Sequence, residues 1–246
     1  MPVDFGTTAA DYVEYRRPFP PELFGRLRAF SFGSPGDLIL DIGAGSGALT
    51  TSLRSIGCKV IPADISPALL AAGDAHQNAV AARAENLPFA DNSFDAVAAA
   101  QAWHWFDRRL APREILRILR PGGLLAVLYH MYVAMPDSIA AATEALILRH
   151  QPRWRHANSA GINGQVLRDM QQAGFTGIES FSFDTIEAFS HDQWRGFIRT
   201  TSAVGASMAP NQLAEFDAAH AALLANYPPT LSVPHRVFAA IAHKPA

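Results

Sequence analysis

Leu38–Thr50 reads LILDIGAGSGALT, and this stretch decides the fold. Leu38 to Asp41 form a short apolar run ending in a carboxylate, which reads as a buried strand. Gly43, Gly45 and Gly47 follow at alternate positions. Without Cβ atoms they let a ligand approach the backbone and allow positive φ in the sharp turn from strand to helix. The helix begins near Gly47. Its first N–H groups point back over the carboxyl end of the strand, where open α/β sheets hold their ligands.

Asp41 narrows the choice of ligand. A nicotinamide-binding turn spaces its glycines G-x-G-x-x-G, so that a pyrophosphate rests on the helix N-terminus. Here the spacing is G-x-G-x-G. A carboxylate at the last strand position, facing those N–H groups, repels a pyrophosphate and attracts the ammonium of an amino-acid moiety. A nucleoside carrying an amino acid therefore suits the turn better. Lys59–Ala63 reads as the second strand, and Asp64 ends it 19 residues beyond Gly45. At that distance α/β nucleotide folds place a carboxylate for ribose hydroxyls.

Further segments follow in a fixed order: ADISPALL at 63–70, RAENLPFADNSFD at 83–95, and Leu-Arg-Pro-Gly-Gly at 119–123. With the glycine turn they resemble the class I S-adenosylmethionine-dependent methyltransferases. The resemblance implies a Rossmann-like α/β fold, a doubly wound and mostly parallel sheet closed by a C-terminal antiparallel hairpin, with helical cap segments. It also implies S-adenosyl-L-methionine as cofactor. Asp41, Gly43, Ala44, Gly45 and Gly47 would cradle it, Asp64 would take the ribose, and Ile65 would lie beside the adenine. Arg83, Ala84, Glu85 and Gln101 complete the cofactor set. Many relatives carry an aspartate where this chain has Arg83, and that aspartate accepts from the adenine amino group. Arginine cannot accept, so Arg83 is expected to stack on the purine while the backbone of Ala84 reads the ring edge.

The N-terminal stretch TTAADYVEYRRPFPPELF at 7–24 contains the pattern Tyr-x-x-Tyr-Arg-Arg-Pro-Phe-Pro. It resembles the N-terminal segment of the trans-aconitate methyltransferase group, which folds over the cofactor. By that resemblance Tyr12, Tyr15 and Arg17 are lid residues, and the Arg17 guanidinium suits a carboxylate of cofactor or substrate. The alternative is a packing arm with solvated arginines. Pro20 and Pro21 open a helix to about Phe30.

The remaining pattern fills in the architecture. Helix is expected at Ala48–Ile56, with Ser66 and Pro67 opening another. Strand is expected at Phe94–Ala100, then helix at 109–120, a Pro121-Gly122-Gly123 turn, and a fifth strand at LLAVLYH, 124–130. Beyond Asp137, helical patterns at about 138–150, 163–173, 191–203 and 210–226 alternate with the strand-like GFTGIESFSF and RVFAAIAHK. Asn163 and Ser190 are expected N-caps, and Gly174 a helix stop. The chain reads as one domain over 1–246, with a lid segment at 1–34, a cofactor-binding core at 35–130, and cap helices with the closing hairpin at 131–246.

Composition bounds the function. The chain has 246 residues, 49% hydrophobic and 17% charged, with a net charge of −2, so it folds as a globule. A nucleic-acid substrate would bring a basic stripe, and none stands out. A small-molecule methyl acceptor is expected instead, with no nucleic-acid or membrane partner; the oligomeric state is silent. No leader pattern and no run of 18 apolar residues occurs, which reads as a cytoplasmic protein. Cys58 is the single cysteine. The nine histidines lack metal-ligand spacing, so no metal site is expected.

Methyl transfer from a sulfonium is an in-line displacement in which positioning supplies most of the rate. A carboxylate acceptor needs no base; a phenol, amine or carbon acid can need one. QAWHWFD at 101–107 leaves the fourth strand at the point where an acceptor would sit, and His104 is its best-placed titratable group. His104 is thus the candidate catalytic residue; the alternative is a packed histidine donating to a backbone carbonyl. Trp103, His104 and Tyr129, with Tyr12 and Tyr15, form the candidate acceptor wall. A nicotinamide-dependent dehydrogenase and a non-catalytic domain of the same fold are the competing functions.

Overall fold

The computed structural model describes residues 11, 14–73, 77–154 and 156–246. Tyr12, expected in the acceptor wall, lies outside the described residues. In chain order the elements are α1 (Pro21–Arg28), β1 (Leu38–Ile42), α2 (Ala48–Ser55), β2 (Lys59–Asp64), α3 (Pro67–Ala72), β3 (Val80–Ala81) and β4 (Phe94–Ala100). A 3-10 turn (Trp103–Trp105) precedes α4 (Leu110–Ile118) and β5 (Leu119–Tyr132). Then come α5 (Ile139–His150), α6 (Gly164–Ala173), β6 (Thr176–Ser190), α7 (His191–Arg199), α8 (Pro210–Leu224) and β7 (Thr230–His243).

The strands form one sheet in the order β3-β2-β1-β4-β5-β7-β6. The pairs from β3 to β5 are parallel and the C-terminal strands run antiparallel, as the resemblance implied. Successive crossovers run outward from β1 through β2 to β3, then return to β4 on its other side. The reversal puts a topological switch point between β1 and β4, the usual ligand crevice of such sheets. Both strands are buried on both faces, so they read as continuous apolar runs. In register, Ile39 lies opposite Ala96 and Leu40 opposite Val97, and all four are at most 2% exposed.

The chain divides into two compact units, one of residues 18–130, 163–182 and 237–246, the other of residues up to 17, 131–162 and 183–236. In the first, α4 buries Ala111, Ile115 and Ile118 along one stripe. Its outer residues explain the LPFADNSFD text. The Leu87 N–H donates to Glu114 at 2.7 Å, and Arg117 donates to the Phe89 carbonyl at 2.8 Å and to Asp91 at 2.7 Å. In the second unit, α5, α7 and α8 pack around Trp194, Phe189 and Phe216, each at most 1% exposed.

Several expectations are corrected. Pro121-Gly122-Gly123 is no free turn after a helix to 120. Strand begins at Leu119, which pairs with Phe94, and a bulge between Phe94 and Ala96 absorbs the glycines. Ser190 closes a full capping box with Gln193, but Asn163 makes no side-chain cap. The helix expected to 203 stops at Arg199, where the Thr200 and Thr201 hydroxyls donate to the Phe197 and Ile198 carbonyls at 2.6 and 2.7 Å. β6 runs on to Ser190, because an edge strand tolerates Asp184 on its exposed face and Glu187 on its half-buried one.

Candidate active site

At the switch point the chain turns at Gly43, Gly45 and Gly47, whose φ values are +66°, +56° and +86°. Only glycine takes such angles at little cost. Gly43 serves the protein's own loop: a Cβ there would collide with the Ala102 side chain and lie 3.1 Å from the Phe106 ring. The segment after β4 therefore closes directly on the glycine turn, where the sequence suggested space for a ligand alone.

Of the two carboxylates, Asp64 and not Asp41 accepts from an N–H group of the turn. Asp41 is followed by Ile42 within β1 and is fully buried. Its Oδ2 accepts from the Thr50 hydroxyl at 2.6 Å, and its Oδ1 is buried without a hydrogen-bond partner. Burial, with the nearby charge of Asp64 adding and the Thr50 hydrogen bond opposing, pushes its pKa up to about 7. Asp64 is the residue that meets the turn. It accepts from the Gly45 N–H at 2.9 Å and from the Ser66 N–H at 2.8 Å. Ala44 N–H donates to the Ala63 carbonyl at 3.1 Å, which ties the turn to β2.

Beside Asp64 an open cleft of about 410 Å³ is lined by Ile65, Ala81, Ala82, Arg83, Asn86 and Pro88. Ile65 is 64% exposed, an apolar surface large enough to receive a flat ring. Arg83 pairs with Glu85 at 3.3 Å, and Ala84 between them is buried. Glu85 also accepts from the Asp107 N–H at 2.8 Å, which ties this loop to the segment after β4. An orphaned carboxylate oxygen at β1 and a cleft past β2 with Ile65 exposed on it fit a nucleoside that carries an ammonium. Asp41, Asp64, Ile65, Arg83, Ala84 and Glu85 thus lie in one unit along one run of the sheet ends.

Gln101 leaves β4 with φ +56°, a left-handed angle seldom held by a residue with a side chain, and its Nε2 donates to the His130 carbonyl. Trp103 is buried, its ring 6.1 Å from that of Phe106. The His104 ring stands 4.6 Å from Trp105 and 6.0 Å from Tyr129. The Tyr129 hydroxyl lies 3.5 Å from His104 Nδ1. Burial pushes the Tyr129 pKa up to about 12, against hydrogen bonds from the Asn163 side chain and the His104 backbone N–H. Asn163, expected as a helix cap, is spent on that hydroxyl instead.

The N-terminal residues belong to the other unit. The Tyr15 ring packs against Gly196, leaving no room for a Cβ there. Arg17 donates to the Ala188 carbonyl at 2.7 Å and to Gln193 at 3.3 Å, and stands 4.4 Å over Phe189. Its guanidinium is engaged with β6 and α7, where the sequence suggested a ligand carboxylate. Among the described residues no group of three or more His, Cys, Asp or Glu side chains could hold a metal ion, and no helix is long and apolar enough to cross a membrane.

Comparison with known proteins agrees with this geometry. A family profile described as methyltransferase domain matches residues 40–127. An uncharacterized methyltransferase of Mycobacterium tuberculosis is 38% identical over 133 residues, 53% of either chain. A demethylmenaquinone methyltransferase of Mycobacterium marinum is 42% identical over 136 residues, 54% of this chain and 58% of that one. The chain thus matches somewhat over half the length of these relatives. Among solved structures, Haemonchus contortus phosphoethanolamine N-methyltransferase 2, in complex with S-adenosylhomocysteine, has a TM-score of 0.55 at 18% identity, covering 98% of this chain and 58% of that one. That likeness establishes the fold. Residues 40–127, which hold the glycine turn, Asp41 and Asp64, thus match the methyltransferase domain family, on a fold shared with solved methyltransferases.

Proposed function

We propose that the chain transfers a methyl group from S-adenosylmethionine to an oxygen of a small carboxylic acid. The cofactor side rests on Asp41 and Asp64 around the glycine turn. Asp41 offers a buried, unpartnered oxygen to an ammonium, and Ile65, exposed on the cleft, offers an apolar face to a purine. When bound, the cofactor supplies an electrophilic methyl group on a sulfonium sulfur. The protein has to align, to exclude water, and to hold the acceptor oxygen.

One observation carries the acceptor side, the hydrogen bonding around Tyr129. Its oxygen receives the Asn163 side chain and the His104 backbone N–H. His104 Nδ1 lies 3.5 Å from the same hydroxyl, and we read the hydroxyl as the donor in that contact. An imidazole that accepts at Nδ1 carries its own proton on Nε2. An imidazole in that tautomer is suited to holding an anionic oxygen and unsuited to removing a proton. A carboxylate is the acceptor that needs a donor and no base. The N-terminal likeness to the trans-aconitate group points the same way.

A second reading comes from the relatives named demethylmenaquinone methyltransferases. A ring carbon beside a phenol fits the Trp103 and Trp105 surroundings, but it calls for a base. The test begins with thermal shift: S-adenosylhomocysteine at 100 times its dissociation constant stabilises by about 2.7 kcal/mol, and NADH gives no shift. A panel of acids, phenols and quinols then separates the two acceptors. Turnover confined to phenols or quinols, with a rate that falls below the imidazole pKa, would replace the carboxylic-acid reading.

A further inference from the structure

We propose that Asp169, on α6 and outside the cofactor motifs, is the positioning residue of the loop that carries His104. The inference rests on the reading of His104 given above only for its consequence in turnover; the contacts that carry it are independent of any acceptor.

The loop from Gln101 to Arg108 bears His104 in its middle. Asp169 grips it on both sides of that residue. Trp103 Nε1 donates to Asp169 Oδ2 at 3.1 Å. Arg108 donates from Nε to both oxygens at 3.1 Å and from Nη2 to Oδ1 at 2.9 Å. Gln165, one helical turn earlier, donates to Oδ1 at 2.8 Å and fixes the carboxylate itself. Asp169 is 2% exposed, and every bond it accepts comes from a named donor. A single carboxylate therefore sets the spacing between the start of the 3-10 turn and Arg108, three residues past its end.

Packing alone does not call for an acid at this position. Val166 and Met170 share its face and are fully buried, and a third apolar side chain would join α6 to its neighbours without desolvating a charge. Buried ion pairs add little net stability relative to such a residue, whereas breaking one leaves an uncompensated charge. What the carboxylate adds is direction: a bidentate fork admits one orientation of Arg108. α6 reaches the same loop a second time at its start, where Asn163 meets the Tyr129 hydroxyl that faces His104 Nδ1. The placement also reaches the cofactor turn, because Ala102 and Phe106 of this loop close on Gly43.

Asp169→Asn keeps the shape, removes the charge opposite Arg108 and turns an NH2 group toward N–H donors. In the full chain without cofactor, amide hydrogen exchange of residues 102–108 is expected to quicken at least tenfold, while β1 and β2 keep their protection. The ring nitrogens of His104, assigned by their loss in His104→Gln, are expected to move from the shifts of one fixed tautomer toward averaged values. Arg108→Ala is expected to reproduce both effects, and the double variant to add less than twofold. A folded Asp169→Asn protein with unchanged exchange and unchanged ring shifts overturns the proposal. If that variant does not fold, Trp103→Phe removes one hydrogen bond and keeps the packing: at least a twofold loosening of 102–108 is expected, and no change overturns the proposal equally. Wild-type protein that transfers no methyl group would sink the methyltransferase reading and leave these cofactor-free measurements intact.

Discussion

Asp41→Asn separates the cost of the buried carboxylate from its use. The folded protein raises this carboxyl from an ordinary 3.8 to about 7, chiefly by burial. Between those values the folded state holds a proton that the unfolded chain has released, so stability falls as pH rises. The contribution is fully present below pH 3.8 and lost by about pH 7. The whole interval is worth about 4 kcal/mol at 1.36 kcal/mol per pH unit. Asparagine carries no such charge and can still accept from the Thr50 hydroxyl. Urea unfolding should therefore show the variant more stable than wild type by up to about 4 kcal/mol at pH 8, with the advantage shrinking as pH falls from 7 toward 4. Binding should move the other way. Loss of a charged partner weakens S-adenosylhomocysteine by about 1.5–3 kcal/mol, at least tenfold, and wild-type affinity should tighten from pH 6 to pH 8 with proton release. An asparagine variant no more stable than wild type at pH 8, with unchanged calorimetric affinity, would refute both the burial cost and the ammonium assignment.

Asp64→Ala removes acceptors from the Gly45 and Ser66 N–H groups. It should weaken S-adenosylmethionine and S-adenosylhomocysteine alike by about tenfold to a hundredfold in calorimetry, since each charged hydrogen bond is worth about 1.5–3 kcal/mol. His104→Gln, which keeps a donor, should raise KM and hold kcat within about tenfold, with a wild-type kcat at saturating cofactor that stays flat from pH 6 to 8; a general base would cost about 10²–10⁴ in kcat. His220, fully buried with Nε2 3.3 Å from the Thr143 hydroxyl, has its pKa pushed down to about 4 by burial. The unfolded chain then binds the extra proton first, so this residue contributes stability above pH 6.5 that is lost between 6.5 and 4, about 3 kcal/mol in all. His220→Leu should flatten that limb in urea titrations.

The elements that carry the candidate cofactor residues were legible because they are local. A strand, a glycine turn and a strand-end acid fall within Leu38–Asp64, and β1, β2 and β4 appear at or within a residue of their expected bounds. What failed was set by partners distant in sequence. Asp41 and Asp64 both read as acids at strand ends, and only the fold decides that Asp64 takes the Gly45 N–H while Asp41 turns to Thr50. The glycine pair at 122–123 reads as a turn until the bulge opposite Phe94 is seen. Arg17 looked free for a ligand because Ala188 and Gln193 lie more than 170 residues away. Asp169 lies 66 residues from Trp103. Its one local sign was an acid at i+3 from Val166 and beside Met170, on the face a helix buries.

The central claim is tested most directly by incubating the purified chain with methyl-labelled S-adenosylmethionine, EDTA and a panel of small carboxylic acids, then partitioning the product. Label should leave the cofactor into an organic-soluble, base-labile ester, with S-adenosylhomocysteine formed in equal amount. A chain that binds the cofactor in the same tube and passes label to none of the acids would contradict the account.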